Sequence, residues 1–111
     1  MAGASPTASV RLNDAALDEA KAAARFYENL RPGYGDLFQR RLDECLGRVA
    51  EHPESYQRAD GAYRRAFLRH FPFVVVYRVL PHEIEVVGVL PERDDPKILT
   101  RRTASVAGDA D

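Results

Sequence analysis

The ten residues from Phe71 to Leu80, FPFVVVYRVL, constrain this chain more than any other stretch. Nearly all are apolar, and most are β-branched or aromatic, which favours a pleated strand over a helix. Successive side chains of a strand point to opposite faces, so a run without polar alternation needs cover on both sides. The stretch therefore predicts the central strand of a sheet. Pro72 has no N–H to give to a ladder and marks the strand's first residues or a bulge. With 111 residues, 45% of them hydrophobic, the chain can bury one core and not two.

The other elements follow by period. Ser9 to Asn13, SVRLN, alternates apolar and polar and predicts a first strand. Asn13 or Asp14 offers an N-cap, and Asp18 and Glu19 put negative charge where a helix dipole favours it. Ala16, Ala20, Ala23, Tyr27 and Leu30 then make one apolar stripe to the end of the helix, with alanines that admit a close neighbour. RPGYGD, Arg31 to Asp36, stops this helix and leaves Asp36 as the next cap, so a short connection predicts an antiparallel helix hairpin. The second stripe is Phe38, Leu42, Cys45, Leu46 and Val49, closed by Pro53. After a turn around Asp60 and Gly61 the period becomes two, with Tyr63, Arg65, Phe67 and Arg69 on one face and Ala62, Arg64, Ala66 and Leu68 on the other. Pro81 to Glu83 is a hairpin turn, and Ile84 to Leu90 a further strand. The fold class is α+β in the order β-α-α-β-β-β, a helix hairpin packed on one face of a mainly antiparallel four-stranded sheet. The domain is expected over residues 9–102, ending in a short turn or helix, between disordered ends at 1–8 and 103–111.

Composition excludes several classes. No window approaches the roughly 18 unbroken apolar residues of a membrane span, and the start lacks the pattern of a signal peptide, so a cytoplasmic protein is expected. A single cysteine, Cys45, allows no internal disulfide, and a structural zinc site lacks ligands. Cys45 in an apolar stripe reads as a small buried hydrophobe. His52 beside a helix end reads as a cap or a solvated side chain, and His82 as facing solvent. The net charge of −1 hides opposed segments. Arg58 to Leu80 carries five Arg against Asp60 alone, whereas Pro81 to Pro96 carries five acids against Arg93. Lysine occurs only at 21 and 97, and arginine suits forked recognition of carboxylate or phosphate.

ARFYENLRPGYGDLFQRRLDECLGRVAEHPESY, then YRRAFLRHFPFVVVYRV and VVGVLPERDDPKILTRR, together resemble the RelE/ParE superfamily of toxins from bacterial type II toxin–antitoxin pairs, over about Val10 to Arg102. The resemblance implies a small toxin held inactive by a co-expressed antitoxin, with no metal and no cofactor. One branch cleaves mRNA on the ribosome; the ParE branch poisons DNA gyrase. The ribonuclease branch usually has a basic residue where this chain has Phe73, and many members have a His where it has Pro91. Both departures favour the ParE branch.

Metal-free RNA cleavage needs an activated 2′-hydroxyl, a proton donor for the leaving oxygen and cations around the phosphate. Arg65, Arg69, His70 and Arg93 are the catalytic candidates if the chain is a ribonuclease. Arg65 and Arg69 share a predicted strand face about 13 Å apart, a spacing for a chain of phosphates or carboxylates more than for one reaction centre. Tyr63 and Tyr77 lie in apolar strands and read as packing residues. The expected reading is a gyrase-binding toxin without catalytic groups of its own, meeting its antitoxin or target through Arg64, Arg65, Arg69, Arg93, Arg101 and Arg102. The alternatives are a ribosome-dependent endoribonuclease and a non-toxic antitoxin-binding member of the family.

Overall fold

The computed structural model describes residues 8–94. The elements are β1 (Val10–Leu12), α1 (Asp14–Leu30), α2 (Tyr34–Glu51), β2 (Arg58–Asp60), β3 (Tyr63–Phe67), β4 (Phe73–Val79) and β5 (Ile84–Pro91). They form a five-stranded sheet in the order β1-β5-β4-β3-β2, antiparallel except where β1 runs parallel to β5. The sheet has one strand more than expected, because Arg58–Asp60 pairs irregularly with β3 across the turn at Gly61. Three residues interrupted by that irregularity carry no readable alternation, which is why period alone misses them. The terminal turn or helix and the disordered ends expected at 1–8 and 103–111 lie, but for Ala8, outside the described residues.

Phe71–Leu80 fulfils its constraint. Phe73, Val74, Val75, Val76 and Tyr77 are all buried, with β3 and β5 on either side. Phe73, Val75 and Tyr77 face the helices, where they meet Ala16, Ala20, Ala23, Phe38, Leu42, Cys45 and Val49. Val74 and Val76 face the other way and cluster with Val87, Leu90 and Tyr63. In β5, Val87 is an extra residue between Val86, opposite Tyr77, and Gly88, opposite Val76. This bulge turns Val86 and Val89 both toward the helices.

The helix hairpin is fixed at both ends. The Asn13 side-chain oxygen accepts from the Ala16 N–H at 2.9 Å and caps α1. Asp36 does not cap α2, since the helix starts two residues earlier with Gly33 at φ 92°. Its free N–H groups are taken from outside. The Glu28 carboxylate, on α1, accepts from the N–H of Gly33 at 3.1 and 3.2 Å and of Gly35 at 3.0 Å. This puts a negative charge at the positive end of α2 and ties the two helices together. The approach needs Gly35 itself, because a Cβ there would lie 2.9 Å from the Ala24 carbonyl oxygen.

β1 covers β5 only as far as Val86. Beyond it the Val89 N–H turns outward and donates to the Glu19 carboxylate, at 3.0 Å. The charge read from sequence as dipole compensation therefore also satisfies a strand edge. On the face away from the helices, Arg11 of β1 binds Glu83 at 2.8 Å and Glu85 at 3.2 Å, and Arg78 of β4 binds Glu85 at 2.8 Å. The Arg78 guanidinium lies 6.0 Å from the centre of the Tyr63 ring, so one row of charge crosses four strands.

Candidate partner-binding surface

The arginines that the sequence groups together are distributed to three places. Arg64 points to the helix side of β3, where its Nη1 donates to the Tyr56 carbonyl oxygen at 2.8 Å. It is half-buried and braces the loop before β2. Arg65 projects from the opposite face beside Val76, half-buried, with a Nε that has no hydrogen-bond partner. Arg69 is not on the strand, because β3 ends at Phe67 and Arg69 falls in the exposed turn to β4. The shared face expected for Arg65 and Arg69 therefore does not exist. His70 occupies the same turn at φ 76°, a conformation that strains a residue with a Cβ by about 1 kcal/mol. Its ring packs edge-on against Phe71 and Tyr34, with centroids 5.1 and 6.3 Å away, which holds that backbone in place.

The turn sits on an aromatic cluster. Tyr27 stacks on Phe38 at 5.6 Å and meets Phe71 edge-on at 4.6 Å, while Phe38 and Phe73 are 5.1 Å apart. Phe73 is thus a core residue, 9% exposed, and has no access to a phosphate. Around this cluster cations gather at the surface. The Arg31 guanidinium lies 5.4 Å from the Tyr34 ring centre. Arg93 is exposed and close enough to Tyr27 for its charge to offset in part the rise that burial imposes on that phenol's pKa. Phe26, 57% exposed, meets Tyr27 edge-on at 5.2 Å, and Leu30, one turn on, is 64% exposed.

Arg31, Arg69, His70 and Arg93 with Phe26, Leu30 and Tyr34 thus form a basic and aromatic surface at the end of the molecule where α1 stops and β4 begins. Sequence reading missed Arg31, Phe26 and Tyr34, and placed Leu30 in the buried stripe. The signal was there in RFYENLRPGY: Phe26 and Leu30 are spaced i, i+4, but Phe26 precedes the half-buried, core-packed Tyr27 and so leans off the core face. Arg101 and Arg102 lie outside the described residues.

The groups with the largest shifts in acidity lie elsewhere. Burial pushes the Tyr77 phenol up to about 12, and its hydroxyl donates to the Pro53 carbonyl oxygen at 2.6 Å. Burial likewise pushes the Cys45 thiol up to about 11, with the neighbouring Arg48 acting against the rise. Both side chains are fully buried and serve packing. His52 caps α2, its N–H donating to the Arg48 carbonyl oxygen at 3.1 Å, and His82 is exposed. Among the described residues no three His, Cys, Asp or Glu side chains gather as a metal site would require, and no helix is long and apolar enough to cross a membrane.

Residues 10–96 match the family model described as the ParE toxin of the type II toxin–antitoxin system, parDE. The chain belongs to this ParE toxin family. A solved structure of the chromosomal ParDE toxin–antitoxin system from P. aeruginosa shares the fold, with a TM-score of 0.68 at 18% identity, over 77% of this chain and 96% of that one. No curated protein sequence matches. Membership of the ParE family makes the chain the toxin component of a type II pair, as the resemblance in its sequence implies, and implies a cognate antitoxin. The ParE fold accounts for the helix hairpin and the sheet, and this chain's own residues build the surface at their end.

Proposed function

We propose that this ParE-family toxin acts by binding DNA gyrase, without catalytic groups of its own, and that its cognate antitoxin neutralises it. The observation that carries the reading is the form of the surface around Tyr27 and Tyr34. Arg31 lies over the Tyr34 ring, the His70 ring packs against the same tyrosine and Arg93 lies near Tyr27, around exposed Phe26 and Leu30. A surface with apolar anchors ringed by arginine has the chemistry of a protein interface, where each desolvated charge pair costs a few kcal/mol to break. Phosphodiester cleavage instead requires a base, an acid and cations converging on one phosphate. Of the sequence-derived partner residues, Arg69 and Arg93 belong to this surface; Arg65, on the other sheet face, is assigned a separate contact, and Arg64 a structural role.

Purified toxin added to gyrase and plasmid DNA tests the proposal. Loss of supercoiling with accumulation of cleaved DNA is expected, with a response to DNA damage and filamentation in cells. Immediate arrest of translation with cut transcripts, and unaffected gyrase, would establish the ribonuclease reading in its place. Normal growth with unaffected gyrase would leave a module that only binds antitoxin. Arg69→Ala and Arg93→Ala should each reduce gyrase inhibition several-fold and leave the melting temperature unchanged.

A further inference from the structure

We propose that Arg58 and Arg64 hold a glutamate side chain presented by an acidic segment of a protein partner. Arg58 of β2 pairs directly with Arg64 of β3, and residues paired across strands share a face, with Cβ atoms about 5 Å apart. Like charges in that position repel. Asp60, the one acid of this basic stretch, is turned away from them. The ladder shifts register between Arg58 and Asp60, so Asp60 pairs with Tyr63, whose side chain packs on the other face with Val74 and Val76. Among the described residues neither arginine has an ion pair. A local arrangement that costs stability and has no answer within the chain is expected at a binding site.

The two side chains are already held in place to receive an anion. Nη1 of Arg58 donates to the Gly61 carbonyl oxygen at 3.1 Å, and Nη1 of Arg64 to the Tyr56 carbonyl oxygen at 2.8 Å. The Nε and Nη2 groups remain as donors, and a fork tied to the backbone loses little freedom when it takes a carboxylate. With Glu54, Ala62 and Val79 the two arginines line a pocket of about 220 Å³. At about 30 Å³ per water, that is room for one side chain and not for a nucleotide. Val79 pairs with Ile84 on the helix side of the sheet but is 39% exposed, so with Ala62 it offers an apolar wall. Such a wall suits the methylenes behind a carboxylate better than a bare phosphate. Glu54 is exposed and leaves the pocket two positive charges against one negative. β2 is the last strand of the sheet, and among the described residues its outer side is open, so an extended segment has a path past the pocket.

The inference rests on the reading of this chain as one that acts by holding proteins, and its test needs neither gyrase nor antitoxin. The full chain is titrated with a capped peptide of alternating Glu and Leu and followed by NMR at the arginine Nε–H groups and the Ala62 and Val79 methyls. Shifts at Arg58, Arg64, Ala62 and Val79 are expected. Arg58→Gln should weaken binding about tenfold, and Glu54→Gln should strengthen it several-fold. Arg40→Gln, the same change of charge at an exposed position of α2, should alter it little. Arg58→Glu should abolish binding without lowering the Tm, because a carboxylate then stands opposite Arg64 within the chain. These results with unaffected gyrase would support the pocket while removing the gyrase reading. Equal losses from Arg40→Gln and Arg58→Gln, or no shifts at the four residues, would overturn the inference. Free glutarate or inorganic phosphate bound as tightly as the peptide would overturn it too, in favour of a small-anion site.

Discussion

Two glycines of α2 should respond to the same substitution with opposite sign. Gly47 has nothing within 4 Å of where a Cβ would stand and is exposed. Gly47→Ala should therefore gain the helix propensity difference, about 1 kcal/mol. Gly35→Ala places its Cβ 2.9 Å from the Ala24 carbonyl oxygen and 3.0 Å from Cβ and Oε1 of Glu28. The Ala24 oxygen is backbone inside α1 and cannot yield alone, so the helices must part by some tenths of an ångström. Moving Glu28 also releases the N–H groups of Gly33 and Gly35. Overpacking of this kind costs about 1–3 kcal/mol, more than the propensity returns. The propensity gain is common to both, so the two variants should differ by the overpacking cost, about 1–3 kcal/mol, in urea unfolding, and a domain of this size shifts its Tm by about 4–8 °C per kcal/mol. If Gly35→Ala raised the Tm as Gly47→Ala does, the Glu28 clamp would not be what holds the hairpin. A double variant with Glu28→Ala sharpens the comparison, since the Gly35→Ala penalty should shrink once the carboxylate is gone.

The buried phenol and thiol predict alkaline sensitivity. The folded pKa of each is raised, Tyr77 from 10.0 to about 12 and Cys45 from 9.0 to about 11. Their contribution is present in full below the unfolded values and is lost as pH climbs through the folded ones, so stability should fall between pH 9 and 12. Tyr77→Phe should flatten the upper part of that fall while losing about 1 kcal/mol at neutral pH with the bond to Pro53, measured by urea titration at stepped pH. Arg64→Ala should cost about 1–2 kcal/mol by freeing the half-buried Tyr56 carbonyl, whereas Arg69→Ala should leave the Tm where it is. Equal melting temperatures for the two would remove the distinction between brace and contact residue. Glu85→Gln should weaken the sheet by less than about 1 kcal/mol, with the loss disappearing in about 1 M salt, because its partners Arg11 and Arg78 are half open to water.

Much of the architecture is legible in the sequence because burial there is periodic. Ala16, Ala20 and Ala23, the Phe38–Val49 stripe and the unbroken run in β4 each assign their own face, and Asn13 caps the helix it precedes. What escaped is what period does not encode. Asp36 looked like a cap, but Glu28 reaches Gly33 and Gly35 from the neighbouring helix, a contact visible only once the hairpin closes. Parity separated Arg64 from Arg65 correctly and failed at Arg69, since β3 stops two residues earlier and a left-handed His70 redirects the chain. Arg31 joined the site through the ring of Tyr34, three residues along, a pairing that charge counting does not register.

The outward Val89 N–H has a consequence for how this toxin behaves among its own copies. Among the described residues the outer side of β5 has no neighbouring strand past Val86, and an unpaired edge is a template on which another chain can add. Here the Val89 donor is already held by Glu19, and by the alternation of the ladder the next outward nitrogen belongs to Pro91, which has no hydrogen. An incoming strand would find neither donor. A carboxylate and an imino acid thus close that row of β5 to fibre-like growth, at the one stretch of that side that β1 leaves uncovered among the described residues.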